Sequence, residues 1–123
     1  MRSNQRAPQH LAVENGQLYE IAPLFPRTTG LPMTVWVGPR GNARHDVRVK
    51  VNMAHGNQMN IDNTAVIGIR PGPRLISGGL LMEDQRAVFE WIRLNETAIV
   101  GYWDGSVDTA ELIQALKALP LTP

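Results

Sequence analysis

The segment "HDVRVKVNM", residues 45–53, defines the fold of this 123-residue chain better than any other. Its apolar and polar residues alternate strictly, with a period of two. That period is typical of a strand with one buried face. The segment therefore predicts a strand with an apolar face (Val47, Val49, Val51 and Met53) and a polar, basic face (Asp46, Arg48, Lys50 and Asn52).

Further strands are predicted on both sides of this one. "MTVWV" (33–37) and "TAVIGIR" (64–70) are rich in β-branched residues, and "LIS" (75–77) favours a short extension. The apolar residues around Asn15-Gly16 indicate a weak hairpin or an irregular strand. "RTTGLP" (27–32) is interpreted as a connector.

After Gly79 the apolar period changes to that of a helix. Residues 82–103 carry an apolar stripe that Asn95 interrupts, so one long helix and two consecutive helices are both compatible with the pattern. Gly105 suits a helix end, and Asp108 with Glu111 suits a capping box at the start of a last helix. That helix is predicted to end at Pro120, with an apolar face of Leu112, Ile113, Leu116 and Leu119.

Strands followed by helices indicate an α+β fold. We expect an antiparallel β-meander of about three to five strands, followed by two or three C-terminal helices packed on one face. Residues 1–10 are predicted to be a flexible tail, and residues 11–123 a single domain.

Composition excludes several classes of chemistry. The chain has no cysteine, which excludes disulfides, thiolate metal sites, iron–sulfur clusters and a cysteine nucleophile. No stretch has the apolar length of a signal peptide or a membrane span, so we predict a cytoplasmic protein without membrane association. No cofactor is predicted.

The net charge of +1 hides an uneven distribution. Residues 1–80 carry nine Lys and Arg against four Asp and Glu, whereas residues 81–123 carry three against seven. The two halves could attract different partners. The favoured interpretation is that they face each other and partly neutralise.

The histidines of this region do not suggest a catalytic or metal site. In a continuous strand His45 and Asp46 point to opposite faces, which disfavours a local His–Asp dyad. An extended chain places His45 and His55 on the order of 33 Å apart, too far to share a metal ion. No catalytic residue and no metal ligand are therefore predicted.

The polar face of the 45–53 strand is the better candidate for binding. With the Arg44 side chain it could follow a phosphate backbone, although Asp46 would repel phosphate and interleaved aromatic residues are lacking. The favoured alternative is the solvated face of an amphipathic strand; whether the acidic helices cover this face is left open by the sequence. Candidate binding residues, including those of two arginine-bearing loops, are Arg40, Arg44, His45, Asp46, Arg48, Lys50, Arg70 and Arg74.

In "LPMTVWVGPRGNARHDVRVKV" and "FEWIRLNETAIVGYWDGSVDTAELIQAL" the chain resembles small proteobacterial proteins of uncharacterised activity. The shared pattern covers about residues 30–120: an Arg-His-Asp strand, a Trp-x-x-Leu-Asn helix and a Tyr-Trp-Asp-Gly turn before a short helix. A broader, more distantly similar bacterial family has a paired His-x-His strand, where this chain has Arg44-His45-Asp46. Its members often sit near toxin–antitoxin-like or mobile-element genes.

Three functions follow as hypotheses. The leading one is a non-enzymatic cytoplasmic binding or regulatory module of a bacterial or mobile-element (toxin–antitoxin-like) system, with a protein partner or a second copy of itself. The second is a nucleic-acid-binding protein that uses the basic strand face. The third is a small hydrolase or nuclease that uses His45 with an acid from another element.

Overall fold

The computed structural model of the chain describes residues 11–14, 17–20 and 22–120. The predicted tail, residues 1–10, lies outside them. The strands are β1 (Leu11–Glu14), β2 (Gln17–Glu20), β3 (Ala22–Leu24), β4 (Val35–Val37), β5 (Arg48–Asn52), β6 (Thr64–Gly68) and β7 (Arg74–Ser77). The helices are α1 (Pro26–Thr29), α2 (Met82–Asp104) and α3 (Thr109–Ala115).

Strands β3 to β7 form a five-stranded antiparallel sheet in which every strand pairs with its neighbours in sequence. Helices α2 and α3 follow it, so the predicted α+β meander is confirmed. Strands β1 and β2 form a separate antiparallel hairpin with Glu14 opposite Gln17, which is the first of the two predicted alternatives. The residues of its turn, 15 and 16, lie outside the described part of the chain.

The core lies between one face of the sheet and the two C-terminal helices. The valines of the 45–53 segment are buried in one cluster with Trp91 and Ile99 of α2 and Leu112 of α3. Alternation therefore predicted the buried face of β5 correctly. Because the helices cover the valine face, they do not cover the face that carries Arg48 and Lys50, here called the outer face. Of the two alternatives that the sequence left open for this face, coverage by the acidic helices is therefore excluded.

The long C-terminal helix bends where the sequence interrupts its apolar stripe. Asn95, at φ −119° and ψ 15°, leaves the helical conformation and separates two helical segments of α2. Gly105 ends α2 in the left-handed conformation, at φ 87°. Asp108 and Glu111 form the predicted capping box, each side chain accepting from the other residue's backbone N–H, at 2.8 and 2.9 Å.

The C-terminal segment departs from the prediction. Helix α3 ends at Ala115 instead of Pro120, because Leu116 is already extended, and Ile113 is exposed. The chain then runs back to the body of the domain, where the Leu119 N–H donates to the Thr29 carbonyl at 2.8 Å. Thr29 belongs to α1, a helix that lies in the segment interpreted as a connector.

The polar face of the 45–53 segment also differs from the prediction. The strand begins at Arg48, and Asn52 is fully buried instead of solvated. Its Nδ2 donates to the Asn60 carbonyl at 2.7 Å, which places the 53–63 loop against it. Alternation could not show this, because the burial comes from a loop that follows the strand.

Within the described part of the chain, no helix combines the length and apolar character needed to cross a membrane.

Candidate functional site

The loop between β4 and β5 is fastened to the end of helix α2. The Arg40 N–H donates to the Trp103 carbonyl at 2.9 Å, and the Ala43 N–H donates to the Arg40 carbonyl at 2.8 Å. Trp103 lies in the last turn of α2, where carbonyls lack partners within the helix. The carbonyl end of a helix carries partial negative charge, so it favours the cations that this loop brings.

Five of the eight predicted binding residues meet at this point. They line one open cleft of about 570 Å³ together with Ala43 and Trp103: Arg40, Arg44, His45, Asp46 and Arg70. Arg70 follows β6 and joins the others from a separate part of the chain. We call this set the arginine cleft.

Asp46 and Arg70 form an ion pair inside the cleft. Arg70 Nε donates to Asp46 Oδ2 at 3.0 Å, and its Nη2 donates to the other carboxylate oxygen. The hydrogen bonds from Arg70, and then that from the Val47 amide, lower the pKa of Asp46 from 3.8 to about 2. Asp46 is therefore negatively charged at neutral pH. Arg74 Nη1 supports this arrangement by donating to the Arg70 carbonyl at 2.7 Å.

His45 lies against the tryptophan of the cleft. The ring centroids of His45 and Trp103 are 5.4 Å apart and the rings are tilted by 34°. His45 Nδ1 lies 2.8 Å from the Asp46 carbonyl oxygen. Because a carbonyl only accepts, Nδ1 carries the proton and donates it. The carboxylate of Asp46 binds Arg70 instead, which agrees with the prediction that His45 and Asp46 do not form a local dyad.

Arg40 and Arg44 are the available cations of the cleft. Both are exposed, and no ion pair joins either guanidinium to another residue of the described chain. Each guanidinium has five N–H donors in a planar fork that suits a carboxylate or phosphate. The cleft can therefore hold an anionic group without first breaking an ion pair of Arg40 or Arg44.

The remaining predicted binding residues lie elsewhere. Arg48 and Lys50 are half-buried on the outer face, where Lys50 pairs directly with Trp36 of β4. Arg74 borders the arginine cleft without lining it. The predicted continuous stripe from Arg44 to Asn52 is wrong, because the strand begins only at Arg48.

The sequence did not predict the contact between His55 and Asp84. His55 Nε2 lies 2.8 Å from Asp84 Oδ2, and Asp84 is 4% exposed at the start of α2. The two residues are 29 positions apart, and Asp84 reads in the sequence as an ordinary first-turn acid. No local signal predicts this pair. Among the described residues, no group of three or more His, Asp or Glu could hold a metal ion.

Comparisons with known proteins do not assign this cleft. No protein family model matches the chain, and neither does any curated protein or solved structure.

Proposed function

We propose that the chain is a non-enzymatic cytoplasmic binding module that holds an anionic side chain of a protein partner in the arginine cleft. The observation that carries this proposal is that only one of the three arginines in the cleft is in an ion pair. Arg70 is neutralised by Asp46, whereas Arg40 and Arg44 line the same cleft without an ion pair to any described residue. One free carboxylate, from Asp or Glu, suits such a pair of guanidinium groups.

The same geometry favours a protein partner over a nucleic acid. A phosphate backbone is best bound by a continuous track of cations. Here Arg48 and Lys50 lie on the outer face and do not line the arginine cleft, so Arg40 and Arg44 are its only lining cations without an ion pair to a described residue. Two such cations can bind one side-chain anion, but they give a polyanion no continuous track to follow.

Binding is also favoured over catalysis. The hydrolase hypothesis requires an acid from another element to lie beside His45. Among the described residues that line the cleft, the only acid is the sequence neighbour Asp46, whose carboxylate binds Arg70. The toxin–antitoxin-like setting and self-association stay predictions, because they rest on the resemblance and on composition.

A titration followed by amide NMR tests the proposal. The probes are a capped tripeptide with a central Glu, its Gln counterpart, and a short single-stranded oligonucleotide at low and high salt. We expect the Glu peptide to shift the amides of residues 40–46 and the Trp103 indole, and the Gln peptide to leave them unchanged. Arg40→Gln/Arg44→Gln should weaken Glu-peptide binding roughly tenfold, about 1.4 kcal/mol.

The matched control is Arg86→Gln/Lys117→Gln, which removes two positive charges from residues outside the cleft. It should bind the Glu peptide like the unmodified chain. Equal losses in both variants would show unspecific charge attraction and overturn the proposal. Tighter binding of the oligonucleotide, with an affinity that falls steeply with salt, would establish the nucleic-acid hypothesis instead.

A further inference from the structure

A second open cavity adjoins the arginine cleft. It has a volume of about 620 Å³ and runs along one side of α2 to the turn after it. Its lining includes Arg70, which also lines the arginine cleft, so the two depressions meet at that side chain. We call the second depression the α2 groove; its charged residues are Arg70, Arg93, Glu96 and Asp104.

The charges of the α2 groove are fixed by the helix and its end. Arg93, Glu96 and Asp104 recur at a spacing that keeps them on one side of α2, despite the bend at Asn95. The Ser106 N–H donates to Asp104 Oδ1 at 3.0 Å. That hydrogen bond, the Ser106 side chain and the charge of Arg70 lower the pKa of Asp104, so this acid is ionised at neutral pH.

The two depressions differ in the sign of their charge. Once Arg70 and Asp46 are counted as a neutral pair, the arginine cleft keeps the two positive charges of Arg40 and Arg44. In the α2 groove, Glu96 and Asp104 outnumber Arg93. The ion pair of Arg70 and Asp46 thus stands at the boundary between a positive and a negative region.

We propose that the arginine cleft and the α2 groove form one dipolar surface, which binds a partner segment carrying an acidic side chain and, a few residues away, a basic one. This inference rests on the proposed function and specifies its partner. An extended peptide advances about 3.3 Å per residue, so two to four residues cover roughly 7–13 Å, the scale of one such depression. Opposite charges at matched positions favour such a segment over a polyanion, which the α2 groove repels.

The test uses capped peptides in which Glu and Lys are separated by one to three glycines, in both orders. Versions with Gln at the Glu position or at the Lys position are the matched probes. Amide NMR or calorimetry gives the affinities. We expect the best Glu–Lys peptide to bind about five times more tightly than its Glu–Gln version, and to shift amides of residues 93–106 as well as those of residues 40–46.

The variant Glu96→Gln/Asp104→Asn should abolish the advantage of Lys without weakening the Glu–Gln peptide. The amide that replaces the Asp104 carboxylate retains an oxygen that can accept from Ser106, and circular dichroism checks the fold; Glu96→Gln alone is the milder variant. The control, Asp62→Asn/Glu90→Gln, removes the same two charges from exposed residues outside both depressions. It should keep the Lys advantage.

The outcomes separate the two proposals. If the Glu–Gln peptide binds the arginine cleft and Lys adds nothing at any spacing, the dipolar surface is wrong and the proposed function stands. If no Glu-bearing peptide shifts residues 40–46, both are wrong. If Lys strengthens binding equally in the variant and its control, the effect is not that of the α2 groove, and the inference is overturned.

Discussion

At the scale of single residues, Arg70 sets the charge state of the cleft by binding Asp46 through two hydrogen bonds. The pKa of Asp46 is lowered to about 2, with the Arg70 hydrogen bond as the largest cause. A carboxyl whose pKa is lower in the folded protein contributes stability that is complete above its unfolded value of 3.8 and is lost as the pH falls towards 2. The ion pair should therefore weaken only in strong acid.

Arg70→Gln tests this cause directly. We expect the Asp46 carboxyl, followed by carbon NMR through an acid titration, to show a midpoint near 2 in the unmodified chain and a midpoint closer to 3.8 in the variant. Arg86→Gln removes a charge away from the cleft and should leave the Asp46 midpoint in place. An Asp46 midpoint that stays near 2 without Arg70 would contradict this account.

The contact between His55 and Asp84 is expected to stabilise the fold. Asp84 is 4% exposed, so removal of its partner leaves a buried carboxylate unpaired. We expect His55→Ala to lower the free energy of unfolding by roughly 1–3 kcal/mol. Chemical denaturation of His55→Ala, Asp84→Ala and the double variant measures the coupling. The double variant should lose less than the two single losses combined; additive losses would show that the contact does not stabilise the fold.

At the scale of elements, helix α2 shows how one buried side chain can join a helix to a segment that is distant in sequence. Buried Asn95 donates from Nδ2 to the carbonyls of Trp91 and Lys117, both at 2.9 Å, and accepts at Oδ1 from the Lys117 N–H at 2.7 Å. The Asn95 side chain, at the bend in α2, thus holds the segment after α3 through the Lys117 backbone. The sequence predicts an interruption at Asn95, but a contact 22 residues away has no local signature.

Asn95→Ala should therefore destabilise more than an ordinary helix substitution. Alanine favours a continuous helix and leaves the N–H and carbonyl of Lys117 without these partners. We expect a loss of about 3 kcal/mol in the free energy of unfolding, together with faster hydrogen exchange at the Lys117 amide. Leu94→Ala, at the exposed neighbouring position, should cost much less. Slow exchange at Lys117 in Asn95→Ala would show that the segment is held by other contacts.

Only part of the arginine cleft can be predicted from individual elements of the sequence. Alternation identified the buried valines because it reports on one strand alone. It extended the strand to residue 45, however, and so placed Arg44 and Asp46 in line with Lys50. These residues belong instead to a loop that is held to the distant Trp103 by a hydrogen bond from the Arg40 N–H of the same loop. Arginine-rich loops are visible in the sequence; their meeting in one cleft depends on tertiary contacts.

At the scale of the whole molecule, the charge asymmetry is only partly neutralised across the two halves of the chain. His55 and Asp84 connect the halves, whereas Arg70 and Asp46 both come from the basic half. Glu96 and Asp104 of the acidic half line the groove beside Arg70. The two halves therefore meet at a surface that exposes both signs of charge, which composition alone could not locate.

The start and the end of the sheet-and-helix domain are also brought together. Leu119 donates to Thr29, and the adjacent Gly30 adopts φ 79°, with its Cβ direction aimed at the backbone of Leu119. A methyl group at Gly30 would lie 2.9 Å from the Leu119 nitrogen. The segment after α3 would then have to move, which would disturb its contacts with α1.

Gly30→Ala should therefore destabilise the whole domain by roughly 2–4 kcal/mol, from left-handed strain together with the lost packing of the C-terminal segment. Gly56→Ala is the matched control, because Gly56 has φ 90° and nothing within 4 Å of the added methyl group. It should show the strain alone, about 1 kcal/mol. Thermal and chemical denaturation give both values, and hydrogen exchange at Leu119 reports the local release. Equal losses in the two variants would mean that close packing of Leu119 on Gly30 adds nothing to stability, and that α1 and the C-terminal segment are held together by other contacts.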